Sequence, residues 1–199
     1  MFNPYLINSL FILGGYLLGS LSAAIIVCKL MRLPDPRATG SKNPGATNVL
    51  RIGGKLPAVL TLFGDAIKGF IPVAVGEIFG LPPVILACIA LAAFLGHVFP
   101  IFFRFDGGKG VATAAGAIAA LSPPLILISL ITWLVIMLFS KTSSLSALVT
   151  ATLAPLNLFL LGDTAFIIPI TVMILIILWR HKENIIRLRL GTEPQVGKK

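Results

Sequence analysis

Apolar residues run almost unbroken along the chain, and the polar positions gather into a few short breaks. Between the breaks stand apolar segments at about 5 to 30, 56 to 80, 82 to 103, 111 to 121, 123 to 140, 144 to 162 and 164 to 180. Crossing a hydrocarbon core of ~30 Å takes about 20 apolar residues of helix, and most of these runs are that long. The fourth, VATAAGAIAAL, is short by about nine residues on that measure. Its Ala, Gly and Thr suit a helix packed closely among the others. The pattern predicts an all-α integral membrane protein: a seven-transmembrane helix bundle forming a single domain over 1-199.

Composition agrees with the pattern. The chain is 57% hydrophobic and 12% charged, whereas a soluble domain is ~45–50% apolar. A soluble globular domain is excluded. The first run follows an uncharged MFNPY, with no basic n-region or small-residue cleavage site, and so reads as a permanent helix rather than a signal peptide. Cys28 and Cys88 both fall inside apolar runs and support neither a disulfide framework nor a metal site. No cofactor, metal or nucleic-acid partner is expected.

Charge then orients the bundle. The connections at 81 to 83, 122 to 124 and 162 to 163 hold no Lys or Arg. Apart from Lys29, at the end of the first run, and Lys68, within the second, the basic residues lie at 31 to 55, at 104 to 110, at 141 and in the tail. Basic loops stay inside, so the N-terminus is expected outside and the C-terminus in the cytoplasm.

Candidate chemistry sits in the basic breaks. The stretch 35 to 55, DPRATGSKNPGATNVLRIGGK, combines Gly40, Gly45, Gly53 and Gly54 with the hydroxyls of Thr39, Ser41 and Thr47 and the charges of Arg37, Lys42, Arg51 and Lys55. Such a loop can turn successive N–H groups toward an oxyanion while Arg and Lys neutralise it. An ordinary basic inside loop is the competing reading. A second loop, RFDGGKG, places Gly107, Gly108, Lys109 and Gly110 directly before the 111 to 121 helix, whose free N–H groups and partial positive charge would cradle a phosphate. It is not a Walker A loop, because Phe103 and Gly110 occupy the positions of a required Gly and Ser/Thr, so an ATPase is not expected.

Within the apolar runs, Asp65 and Lys68 share a helix face, as an ion pair fastening the second helix or as a functional pair. His97 is a packing residue or a base. Ser143 and Ser144 open the sixth helix as caps whose hydroxyls could equally meet a ligand. The tail is expected to continue the seventh helix as far as Gly191, with Arg180, Asn184 and Arg187 on one face and His181 beside them.

Taken in order, GSKNPGATNVLR, DxxKG at 65 to 69, GHxxPxFFxFxGGKGVAT at 96 to 113, SSL at 143 to 145 and RHxENIxRLxxGxE from Arg180 to Glu193 resemble the bacterial acyl-phosphate-dependent glycerol-3-phosphate acyltransferases, the PlsY family. The resemblance implies a seven-helix inner-membrane enzyme with its active site at the cytoplasmic face. It would move a fatty acyl group from acyl phosphate to sn-glycerol 3-phosphate, giving lysophosphatidic acid and inorganic phosphate. It further implies that the three inner loops build the site. Ser41, Lys109 and His181 become catalytic candidates. Asn43, Thr47, Asn48, Arg51, Gly107, Gly108, Gly110, Thr113, Ser144, Asn184 and Arg187 join them as substrate-binding candidates, with Asp65, Lys68, His97 and Glu193 as structural support. Membrane lipid and a soluble enzyme that forms acyl phosphate are the expected partners. Asp106 departs from the neutral or basic residue usual in that family and makes the loop less positive unless Arg104 pairs with it.

Acyl phosphate is a mixed anhydride with an activated carbonyl, so the protein mainly has to position the hydroxyl and stabilise charge. The proton can go to the leaving phosphate or to His181. A transporter of organic phosphate would need a polar path to the outer face, where only Glu77 and Asp163 stand near the rim. A structural subunit would leave GGKG at a helix start without a purpose.

Overall fold

Local chemistry marks where each apolar run becomes a helix. Asn3 accepts a hydrogen bond from Tyr5 N at 3.0 Å and caps α1 (Pro4–Gly19), with Pro4 where a missing N–H costs nothing. Prolines likewise open α5 (Pro83–Val98) and α7 (Pro123–Ser140). The remaining helices are α2 (Ala23–Leu30), α3 (Ala46–Gly53), α4 (Lys55–Ile78), α6 (Val111–Leu121), α8 (Ser143–Leu161), α9 (Ile167–Arg180) and α10 (Lys182–Arg189). Short 3-10 turns cover Ile101–Phe103 and Thr164–Phe166. This computed structural model describes residues 3–197. Met1 and Phe2 of the MFNPY start, and Lys198 and Lys199 of the basic tail, lie outside the described residues.

Among the described residues, four helices are long and apolar enough to cross a membrane, or up to six if each of two bent pairs counts as one span. At 11 residues α6 is ~16 Å long, about half a hydrocarbon core.

Three local expectations need correction. The first run is not one helix from 5 to 30: α1 and α2 meet at 42° across Ser20–Ser22. A break at membrane depth frees backbone groups that need partners. Lys68 Nζ donates to Leu21 O at 2.6 Å, Ser22 Oγ accepts from Ile25 N at 3.4 Å, and Ser20 Oγ donates to Tyr16 O at 2.8 Å. The tail does not simply continue the last span either, since α10 turns 58° from α9 at His181. Part of the first basic stretch is itself the helix α3, anchored where Val49 packs with Ala24, Cys28 and Leu33.

The chain contacts group into two compact units, residues up to Leu121 and residues from Ser122. In the first, α1 packs on α5 and α4 on α6 through glycines that let backbones touch. A Cβ at Gly19 would overlap the Ala93 backbone, and one at Gly96 the Tyr16 carbonyl. Gly69 faces Thr113 O and Gly116 faces Ala66 O in the same way. In the second, α7 packs on α8 and α8 on α9 around Leu125, Leu158, Ile170 and Met173. Ser122 Oγ donates to Asp163 Oδ2 at 2.6 Å there.

Candidate active site

The first unit folds the stretch 35 to 45 around one buried side chain. Asn48, on α3 and 1% exposed, accepts from Ser41 N at 2.8 Å and donates to Pro36 O at 2.8 Å and Thr39 O at 3.0 Å. Its amide therefore holds the loop, a different task from the ligand contact expected of it. Ser41 and Arg51 stand exposed around this strut, with Asn43 and Thr47 half-buried. Gly40 takes a φ of +65°, and a Cβ there would overlap Asn48 Oδ1.

Arg37 was expected to lend charge to this loop but was not among the substrate-binding candidates. It pairs with Asp35 at 2.7 Å, and its guanidinium lies 6.0 Å from the centre of the Phe103 ring. The hydrogen bond from Arg37 holds the Asp35 carboxyl below the ordinary value, and the same bond raises Arg37, aided by the charges of Asp35 and Asp106. Arg37 thus also feels the charge of Asp106. The signal was the D-x-R spacing inside DPR.

The GGKG loop lies against this same region. Gly107 and Gly108 are buried, and a Cβ at Gly108 would come within 3.1 Å of Pro44 O. Gly110 takes a φ of +85° with the Phe94 ring packed against it, and α6 starts at the next residue. A proline carbonyl beside a glycine backbone brings the two basic loops into contact in front of a helix N-terminus, where amide N–H groups and positive charge favour an anion. Lys109 is half-buried. Thr113 is fully buried in the first turn of α6, its Oγ1 meeting no hydrogen-bond partner among the described residues.

Below the loop, Lys68 Nζ lies 2.8 Å from Asp65 Oδ1, and His97 Nδ1 lies 3.5 Å from the same oxygen. Asp65 and Lys68 form an ion pair within α4, and α5 approaches it through His97.

The second unit gathers a separate constellation on Glu193. Its Oε1 accepts from Ser144 Oγ at 2.7 Å and from Asn184 Nδ2 at 2.6 Å, while Oε2 accepts from Arg187 Nε at 2.7 Å. Burial alone would raise this carboxyl. The three hydrogen bonds and the Arg187 charge outweigh it and hold Glu193 below the ordinary glutamate value. Ser144 therefore does not cap α8, which begins one residue earlier after Thr142. Val196 N donates to Lys141 O at 2.7 Å, which pins the tail beyond Glu193. His181 is 3% exposed, and its Nδ1 lies 2.8 Å from Ile177 O. A carbonyl only accepts, so Nδ1 carries a proton in this contact. Glu183 reaches Arg187 more loosely, at 4.0 Å.

Apolar helices closed by glycine contacts, with basic glycine-rich loops at a helix start, define an integral membrane protein. A family model described as glycerol-3-phosphate acyltransferase matches residues 9–191. The glycerol-3-phosphate acyltransferase of Thioalkalivibrio sulfidiphilus (strain HL-EbGR7) is 52% identical over 195 residues, covering 98% of this chain and 96% of its own. That of Vibrio cholerae serotype O1 (strain ATCC 39541 / Classical Ogawa 395 / O395) is 51% identical over 188 residues, covering 94% and 90%. The chain belongs to the glycerol-3-phosphate acyltransferase family. The crystal structure of PlsY, an integral membrane glycerol 3-phosphate acyltransferase, in its glycerol 3-phosphate form matches with a TM-score of 0.91 at 40% identity over 96% of both chains. Its lysophosphatidic acid form matches at 0.88 and 39%.

Proposed function

We propose that this protein transfers a fatty acyl group from acyl phosphate to sn-glycerol 3-phosphate, giving lysophosphatidic acid and inorganic phosphate, the first acylation of phospholipid biosynthesis. The observation that carries this reading is the contact of two basic glycine-rich loops, at Pro44 and Gly108, just before α6. Solved relatives described in glycerol 3-phosphate and lysophosphatidic acid forms support it.

In this reading the substrate hydroxyl oxygen attacks the acyl carbonyl carbon, and the bond from that carbon to the phosphate oxygen breaks. The leaving phosphate takes the hydroxyl proton. Lys109 and the loop of Gly107, Gly108 and Gly110 before α6 hold a phosphate and the charge that develops on it, while the Gly108 N–H itself donates to His97 O at 3.2 Å and shapes the loop. Ser41, Asn43, Thr47 and Arg51 bind from the first loop, with Asn48 and Thr113 acting from behind the loops. Ser144, His181, Asn184 and Arg187 are the substrate-binding candidates of the second unit, and Glu193 orders three of them.

The alternation of basic and neutral connections supports seven spans, α6 being the short one, with the N-terminus outside and the C-terminus in the cytoplasm. One acyltransferase domain, 1–199, then works at the cytoplasmic face of a bacterial inner membrane and receives its donor from a soluble enzyme that forms acyl phosphate. The test is purified protein in detergent with acyl phosphate and glycerol 3-phosphate, read as released inorganic phosphate and lysophosphatidic acid. Thioesters of coenzyme A or acyl carrier protein should give no product. Robust transfer from acyl-CoA while acyl phosphate stays idle would refute the donor assignment.

A further inference from the structure

The Asp65, Lys68 and His97 cluster reaches further than a fastening between helices. All three side chains are buried, with residue exposures of 2%, 5% and 7%. At one end, Lys68 ties Asp65 to the break between α1 and α2 through its bond to Leu21 O. At the other, Asp65 Oδ1 faces His97 Nδ1. His97 then meets the GGKG loop twice. Its backbone carbonyl accepts from Gly108 N at 3.2 Å. Its ring edge, Nε2 and Cε1, lies so close to Gly108 that a Cβ there would overlap it.

Charge neutrality does not require this arrangement, because Lys68 alone balances Asp65. Each further ionisable group at membrane depth costs free energy and so calls for a reason. A carboxylate at Nδ1 selects the Nδ1–H form of an imidazole and fixes the direction of the ring. Here a fixed ring is a floor for Gly108.

We propose that Asp65 and His97 are positioning residues for the GGKG loop. Asp65 sets the His97 ring, and the ring and carbonyl of His97 hold Gly108 so that Lys109 meets a phosphate in one geometry. The inference rests on the phosphate-binding reading of that loop.

The test uses the purified protein and initial rates of acyl transfer with each substrate varied in turn. Lys109→Ala first shows which KM the loop controls. Asp65→Asn with Lys68→Gln removes both charges together, leaving no lone buried ion, and thermal unfolding reports whether the fold survives. This double variant and His97→Ala should raise the KM that Lys109→Ala raises by about tenfold or more, a fraction of the ~10²-fold that 1 Å of misplacement can cost. The KM of the other substrate should stay within about twofold. His97→Asn keeps a donor near the Nδ1 position and should recover part of the loss. It also vacates the space beside Gly108, so adding Gly108→Ala should harm His97→Asn less than it harms the wild type. A folded double variant with both KM values unchanged, or Gly108→Ala equally harmful in both backgrounds, would overturn the proposal. A wild-type protein that releases no phosphate at all is a different result, which overturns the acyltransferase reading and this role with it.

Discussion

Replacing Asn48 separates a loop strut from a ligand contact. Asn48→Ala removes hydrogen bonds of 2.8, 2.8 and 3.0 Å from a site that is 1% exposed. At about 0.5–1.5 kcal/mol net for each bond, the three together are worth about 1.5–4.5 kcal/mol. Asn48→Asp is the sharper variant. It has almost the same shape and keeps an acceptor for Ser41 N, yet it turns a carboxylate oxygen toward the carbonyls of Pro36 and Thr39, where Nδ2 now donates. Two attractions become two repulsions, with a charge left buried and unpaired. The near-isosteric Asp should therefore cost at least as much as Ala. Thermal unfolding in detergent measures the stability, and the KM for glycerol 3-phosphate measures how far Ser41 has drifted. An Asn48→Asp protein as stable as the wild type would refute the strut. So would an Asn48→Ala protein of undiminished stability that has lost only substrate binding.

Four further outcomes are expected. Lys109→Ala should lose about 10²- to 10³-fold in rate, the usual loss for an electrostatic contact made to developing charge; near-normal turnover would sink the phosphate-loop reading. His181→Asn should raise the KM for glycerol 3-phosphate and keep kcat within about tenfold, or ~1.4 kcal/mol; a collapse of kcat with loss of the acidic limb of its pH profile would make His181 the base. Glu193 has a folded pKa below its ordinary 4.5, so its contribution to stability is fully present above that value and disappears as pH falls through the lower folded one. Glu193→Gln should be less stable at pH 7 and lose less on acidification, and equal acid sensitivity in both proteins would count against its role. In a background without Cys28 and Cys88, a cysteine at Lys42 or Lys109 should be shielded from an impermeant thiol reagent in intact cells; labelling from outside would reverse the orientation.

The elements legible in the sequence are those that local chemistry ends. Helices α6 and α7 were expected over 111 to 121 and 123 to 140, and they occupy those bounds because GGKG and SPP punctuate the chain on either side. The break at Ser20–Ser22 carries no such mark. Two serines in an apolar run also suit a helix contact, and Gly19 beside them does make one against Ala93. What holds the break open is Lys68, 47 residues away from Leu21. The same distance problem governs the candidate site. Glycine, lysine and serine in GSKNPG and GGKG led to the expectation of an anion site, but composition cannot distinguish an asparagine that meets a ligand from one that folds the loop. That choice depends on burial, which Val49 imposes by drawing α3 onto Ala24 and Cys28, so that its neighbour Asn48 turns inward under Pro36 and Thr39. Glu193 follows the same logic: its acidity is visible in the tail, yet only the turn at His181 brings Asn184 and Arg187 round to share it with Ser144. Residue type can nominate candidates for a substrate contact, whereas the partners that would aim them lie far along the chain.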